Sequence, residues 1–291
     1  MSLDKIKKYL RLDKFPHIWC PGCGNGIVLQ SVVNAIDKLN LDQNKVAVVS
    51  GIGCSSRSAG YLDFNTLHTT HGRAIAFATG IKLAKPELTV IVLTGDGDCS
   101  AIGGNHLIHA ARRNIDLTVV VFNNNIYGMT GGQYSPTTYL DDKAATANVG
   151  NIENPFDLCE LVKGAGATYI ARSTTFHATH LPLLVMKGIQ NKGFSFIDAV
   201  TACPIYYGRM NKLVDAVEML RLQRDNARNI KQWSTMSDEE KKGKFVIGEL
   251  FNKPAMEYTE RYRQLIMKEK SEEDLKYYRE NEESESKSEE E

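Results

Sequence analysis

Two short segments carry the residue types that hold a diphosphate through a divalent cation. Thr94-Gly95-Asp96-Gly97-Asp98 directly follows an apolar, β-branched run at Val90–Leu93, and Asn123-Asn124-Asn125 directly follows another at Leu117–Phe122. If the two runs are parallel strands, both turns fall on one edge of a sheet. Glycines let backbone approach phosphate oxygens and present N–H groups to them. Asp96 offers a hard anionic oxygen and Asn124 a neutral amide oxygen, the ligand types Mg²⁺ prefers in an octahedron shared with phosphate and water. An isolated Gly-Asp-Gly reads better as a tight turn, with the asparagines as caps. Two matching turns after two strands favour the metal reading.

Cysteine spacing supplies a second site. Trp19-Cys20-Pro21-Gly22-Cys23-Gly24 is a Cys-x-x-Cys hairpin, Gly51-Ile52-Gly53-Cys54-Ser55 follows a strand, and Ala202-Cys203-Pro204 follows the last expected strand. Six cysteines in a chain this long make a poor disulfide framework in a reducing compartment. Four thiolates from three loops suit a four-iron four-sulfur (4Fe-4S) cluster. A structural zinc usually pairs two Cys-x-x-Cys knuckles, and this chain has one. A redox dithiol needs only Cys20 and Cys23, leaving the loop positions of Cys54 and Cys203 unexplained. Cys99 and Cys159 lie in helix-like or apolar surroundings and read as plain buried cysteines.

The elements that must position these loops follow from periodicity. Runs at Val46–Ser50, Val90–Thr94, Leu117–Phe122, Thr168–Ile170 and Phe196–Thr201 have the length of buried strands. Helical patterns lie between or beside them at Gly26–Lys38, Gly72–Ala84, Gly103–Arg113, Pro155–Ala165 and Phe176–Gln190. The alternation predicts an α/β fold, a doubly wound, mostly parallel sheet with helices on both faces and ligand loops at the carboxyl ends of its strands. This domain spans residues 1–210. A C-terminal helical extension over 211–270 follows, comprising one amphipathic helix at Lys212–Trp233, a polar linker at Ser234–Gly243, an apolar patch at Phe245–Phe251 and a helix near Tyr258–Lys268. Residues 271–291 form an acidic tail whose composition predicts disorder.

Composition bounds the partners. Of 291 residues, 42% are hydrophobic, enough for a sizeable core, and 35 basic residues balance 35 acidic ones. The net balance argues for neither nucleic acid nor membrane as a partner. Because the tail holds ten of the acids and three of the bases, the body carries a mild positive excess. That excess reads as a solvated face in preference to a docking site for an acidic ferredoxin. The first 14 residues have no apolar core of signal-peptide length and no run reaches spanning length, so a cytoplasmic protein is expected.

The motif from Gly95-Asp96-Gly97 to Asn123-Asn124 resembles that of thiamine-diphosphate enzymes. Its continuation, Tyr127-Gly128-Met129-Thr130-Gly131-Gly132-Gln133-Tyr134-Ser135-Pro136-Thr137, closely resembles the β subunits of 2-oxoacid:ferredoxin oxidoreductases, and the similarity runs from about Trp19 to Cys203. The resemblance implies the pyrophosphate-binding (PP-type) module of the thiamine-diphosphate fold. It implies Asp96, Asn124 and the carbonyl of Ile126 as Mg²⁺ ligands, and Cys20, Cys23, Cys54 and Cys203 as ligands of the 4Fe-4S cluster. Contacts to thiamine diphosphate would come from Gly53, Cys54, Ser55, Gly95, Gly97, Asp98, Tyr127, Gly128, Met129 and Thr130. The family places a histidine beside the cofactor, which implies His71 rather than His68 in Thr66-Leu67-His68-Thr69-Thr70-His71-Gly72-Arg73. On residue chemistry, either histidine reads equally as a hydrogen-bonded turn or core residue.

The reaction so implied is oxidative decarboxylation of a 2-oxoacid to an acyl-coenzyme A, with electrons passed to ferredoxin. The stretches His68–Arg73 and Ile102-Gly103-Gly104-Asn105-His106 look most like the 2-oxoglutarate type. A pyruvate type, and a non-redox thiamine-diphosphate decarboxylase with structural zinc, are the alternatives. No carboxylate for the cofactor's pyrimidine ring is evident here, and the family takes it from an α subunit. The expected assembly is therefore an (αβ)₂ or larger hetero-oligomer, inactive as the β chain by itself.

Overall fold

The computed structural model describes residues 6–213 and 215–269. Its centre is an eight-stranded sheet built from β1 (Val46–Ser50), β2 (Asn65–His68), β3 (Thr89–Gly95), β4 (Thr118–Asn123), β7 (Tyr169–Thr174), β8 (Ser195–Val200), β9 (Ala227–Asn229) and β10 (Phe245–Asn252), in the order β2-β1-β3-β4-β8-β7-β10-β9. Between β4 and β7, a small antiparallel hairpin of β5 (Ile126–Tyr127) and β6 (Gln133–Tyr134) stands apart from the sheet. The six strands from β2 to β7 in that order pair parallel. Within this sheet only the β7–β10 pairing is antiparallel, and β9 pairs parallel with β10 to form that edge of the sheet.

Strand alternation divides the core into two layers. Val46, Val48, Ile91, Leu93, Val120, Phe122, Ile197 and Ala199 face the helices Asn25–Lys38 and Leu181–Gln190. Ala47, Val49, Val90, Val92, Val119, Val121 and Phe196 face Ala74–Ala84, Gly104–Arg113 and Leu158–Ala165. Both faces are covered, which is why the parallel strands read as unbroken apolar runs. The expected doubly wound, mostly parallel architecture is present, and the loops after β1, β3, β4 and β8 share one edge.

Several elements differ from expectation. The single helix expected over Lys212–Trp233 is broken. Ala216–Asn226 is helical, β9 then pairs with β10, and Ile230–Thr235 restarts behind a capping box of Asn229 and Gln232. Strand pairing outweighs the helical pattern there. The linker Ser234–Gly243 contains a helical turn, Asp238–Lys241, capped by Ser237 and Glu240. The apolar patch Phe245–Phe251 is strand β10, so the segment expected to be helical also adds two strands to the sheet. Helices expected from Pro155 and Phe176 begin at Leu158 and Leu181, the first because Asp157 caps it. The strand expected over Thr168–Ile170 runs to Thr174, its polar second half hiding it from an apolar search. Strand β2 carries no apolar run to mark it in the sequence, being short and largely exposed. The acidic tail over 271–291 lies outside the described residues.

Candidate functional site

Gly95 ends β3 and Asn123 ends β4, and those strands pair in register Gly95 to Phe122. Parallel pairing thus brings the two turns to one edge, beside the loop that follows β1. One cavity of about 170 Å³ opens there. Its walls include Gly53, Cys54, Ser55, His71, Gly95, Asp96, Gly97, Asp98, Asn124, Ile126, Tyr127, Gly128, Met129 and Thr130. Every residue expected to touch the cofactor therefore lines a single cavity. His68 lies exposed on β2 and is not among them.

Asp96 is 2% exposed. Its Oδ2 accepts from Ser135 Oγ at 2.5 Å and Thr137 Oγ1 at 2.7 Å. Burial pushes its carboxyl up to about 6, against the pull of these hydroxyls and of the backbone N–H groups of residues 96 and 97. Asn124 Oδ1 accepts from the Ile126 N–H at 3.2 Å, an Asx turn that brings its amide oxygen and residue 126 together.

Asp98 plays a different part from Asp96. Its Oδ1 lies 2.5 Å from His71 Nδ1 and accepts from the Gly72 N–H at 2.7 Å and the Ile52 N–H at 3.3 Å, while Oδ2 accepts from Thr94 Oγ1 at 2.7 Å. One buried carboxylate therefore ties the loops after β1 and β2 to the turn after β3. Residue 51 must be glycine for this, because a Cβ there would stand 2.0 Å from Asp98 Oδ2. Gly97 is required similarly: a Cβ would meet the Tyr127 ring at 2.3 Å, and Tyr127 donates its hydroxyl to the Gly97 carbonyl at 3.1 Å. Tyr127 in turn sets its ring edge-on to His71 at 6.0 Å. Thr130 donates to Gln133 Oε1 at 2.5 Å across the β5–β6 turn.

The four loop cysteines gather beside this cavity. Cys54 lines it, and a Cβ on Gly128 would lie 3.4 Å from Cys203 Sγ and 3.8 Å from Cys54 Sγ. Cys20, Cys54 and Cys203 all act electrostatically on the Cys23 thiol, which burial pushes up to about 12, while burial takes Cys54 to about 11. Trp19 donates its indole N–H to the Cys54 carbonyl at 2.7 Å, fastening the hairpin to the β1 loop. Cys99 and Cys159 are fully buried elsewhere. Among the described residues, no group of three or more His, Cys, Asp or Glu is arranged to hold a single metal ion.

Sequence reasoning missed several participants. Asn25 is 1% exposed, lines the cavity and has no partner for its Oδ1. Ser135 and Thr137 bond Asp96, and Asn123 bonds Thr137 and Asp198. Charged residues inside buried strands, Arg172 in β7 and Asp198 in β8, were the available signal for the contacts beyond Asn123. A larger cavity of about 820 Å³, lined by Asn123, Thr137, Arg172, Asp198 and Tyr207 among others, lies beyond Asn123 and includes no residue of the Thr94–Asp98 turn.

Comparisons with known proteins agree with this geometry. The thiamine pyrophosphate enzyme C-terminal TPP binding domain matches residues 51–199, which enclose both turns. The 2-oxoglutarate synthase subunit KorB of Methanocaldococcus jannaschii is 54% identical over 265 residues, covering 91% of this chain and 98% of that one. The KorB subunit of Methanothermobacter thermautotrophicus is 53% identical over 254 residues, 87% of this chain and 89% of its own length. Among solved structures, 2-oxoglutarate:ferredoxin oxidoreductase from Magnetococcus marinus with 2-oxoglutarate, coenzyme A and succinyl-CoA bound superposes with a TM-score of 0.82. It is 34% identical and covers 92% of this chain and 91% of its own. A shared sheet, a matching thiamine-binding domain and identity over nearly the whole length lead to one assignment: the chain belongs to the KorB-type β subunits of the thiamine-diphosphate-dependent 2-oxoacid:ferredoxin oxidoreductases.

Proposed function

We propose that this chain serves a cytoplasmic 2-oxoglutarate:ferredoxin oxidoreductase by holding thiamine diphosphate through Mg²⁺ and a 4Fe-4S cluster beside it. Asp96, Asn124 and the Ile126 carbonyl are the Mg²⁺ ligands, and Cys20, Cys23, Cys54 and Cys203 hold the cluster. The observation that carries this reading is that the metal-type oxygens, the Gly95 and Gly97 backbone and Cys54 line one cavity. The buried, unpartnered Asn25 Oδ1 supports it too, because an orphaned acceptor in a cavity wall calls for a donor from a bound molecule. For the cysteines, four thiols brought from three loops to the side of one cavity suit a multi-iron cluster, whereas a structural zinc usually pairs two Cys-x-x-Cys knuckles and this chain has one.

Thiamine diphosphate, when bound, supplies the carbon nucleophile and electron sink for decarboxylation, and the cluster accepts electrons singly. The chain's own residues do the rest. Asp98 orients His71 beside the cofactor, Tyr127 and Met129 shield the cavity, and Gly128 leaves only van der Waals space between cavity and thiols. The cavity is smaller than the ~300 to 1,000 Å³ of enclosed ligand sites. This chain therefore forms one wall, and the partner α subunit supplies the other together with the pyrimidine carboxylate, in an (αβ)₂ or larger assembly. Coenzyme A as acyl acceptor and ferredoxin as electron acceptor complete the reaction, consistent with the molecules in the Magnetococcus structure and its name.

The test is reconstitution with the α subunit. The complex should contain about four iron per β chain, show broad visible absorbance bleached by dithionite, and turn over 2-oxoglutarate in preference to pyruvate. Zinc in place of iron, or 2-oxoacid oxidation by the β chain by itself, would refute the reading.

A further inference from the structure

The polar contacts around Asp96 continue away from the cavity and end on a buried ion pair that the reaction chemistry does not use. Thr137 Oγ1 lies 2.7 Å from Asp96 Oδ2 and 3.1 Å from Asn123 Oδ1, so its single proton is shared between them. The Asn123 amide donates to Asp198 Oδ1 at 3.1 Å. Asp198 Oδ2 accepts from Arg172 Nε at 2.8 Å, and Arg172 Nη2 donates at 2.6 Å to Asp157, the cap of helix Leu158–Ala165. Arg172 and Asp198 are direct register partners on β7 and β8, 6% and 1% exposed.

A buried ion pair is a poor source of stability, since desolvation offsets its attraction and an apolar pair of similar volume often serves as well. What this pair adds is direction. Asp198 fixes which end of the Asn123 amide faces Thr137, and Asn123 is joined by one peptide bond to Asn124. The line therefore reaches both expected Mg²⁺ ligands, Asp96 through a hydroxyl and Asn124 through the backbone.

We propose that the Arg172–Asp198 pair is a positioning device for the metal site: through Asn123 and Thr137 it holds Asp96 and Asn124 at the separation that binds Mg²⁺ with a diphosphate. The proposal rests on the Mg²⁺ reading given above. Neither residue is catalytic; both act through others.

The experiment uses the reconstituted α/β complex, stripped of metal and titrated with Mg²⁺ at saturating thiamine diphosphate, with calorimetry as the readout. Arg172→Lys and Thr137→Val should each raise half-saturating Mg²⁺ about tenfold, and Arg172→Lys should leave kcat at saturating Mg²⁺ within about twofold. In the double variant the second change should add less than about twofold, because both cut one line. Thr137→Ser, which keeps the hydroxyl, should restore the parent value. Should Arg172→Lys fail to assemble, Asp198→Asn takes its place. Unchanged half-saturation in Arg172→Lys, or effects that multiply in the double variant, would overturn the proposal. Asp96→Ala separates the two levels: if it abolishes Mg²⁺-dependent binding while Arg172→Lys does nothing, only the positioning device fails, and if it too leaves the titration unchanged, the metal site itself is wrong.

Discussion

His71 Nδ1 stands 2.5 Å from a buried oxygen of Asp98, which also receives backbone N–H groups from the loops after β1 and β2. A single carboxylate two residues from the expected Mg²⁺ ligand thus sets both the histidine and the loop that carries Cys54. Asp98→Asn keeps the volume but loses the anionic acceptor, and activity of the complex should fall about 10- to 100-fold through misplacement. Asp98→Ala strands four partners, His71, Thr94 and the N–H groups of Gly72 and Ile52, and should cost about 3 kcal/mol of stability, measurable by urea unfolding.

Asp96 makes Mg²⁺ affinity pH-dependent. Its carboxyl titrates near 6 in the metal-free fold, so below that pH a proton competes with the metal. Apparent affinity for Mg²⁺ should fall about tenfold per pH unit below 6 and level off above it. The folded value lies above the ordinary 3.8, so ionising this group costs the metal-free fold stability as pH rises through about 6. Thermal midpoints at pH 5 and 7.5, with and without Mg²⁺ and cofactor, check both signs.

Gly97→Ala places a methyl group 2.3 Å from the Tyr127 ring, which must move and give up its bond to residue 97. Cofactor retention after gel filtration should drop, and activity should fall about 100-fold. Gly104→Ala, where a Cβ would have open space and which does not line the cavity, serves as the control and should retain both.

Serine at position 20, 23, 54 or 203 should abolish or alter the iron signal, whereas Cys99→Ser and Cys159→Ser should keep it. Iron content and electron paramagnetic resonance distinguish them. In cluster-free protein, burial holds Cys23 and Cys54 mostly as thiols at neutral pH. Iodoacetamide should therefore label the exposed Cys20 before either, with Cys54 and Cys23 reacting faster only as pH rises. Mass spectrometry after timed quenching reads the order.

Much of this molecule is legible in one dimension because its strands are buried on both faces and its chemistry sits in turns. Val46–Ser50, Val90–Leu93 and Leu117–Phe122 stand out as apolar runs, and the residues directly after them carry the site. The C-terminal segment is less legible: the helical pattern at Lys212–Trp233 gives no sign that Ala227–Asn229 pairs with Phe245–Ile247, a contact set by neighbours distant in sequence.

Residue identity by itself determined the kind of chemistry available: oxygen ligands after two parallel strands, four loop thiols and glycines where backbone must come close. Only the tertiary structure decided that Asp98 clamps the loops after β1 and β2, that Ser135 and Thr137 bond Asp96, and that Arg172 and Asp198 connect to it through Asn123. The reason is physical. Ligand types are properties of single side chains, whereas the burial and partners that assign their roles arise when strands far apart in the chain pair in register.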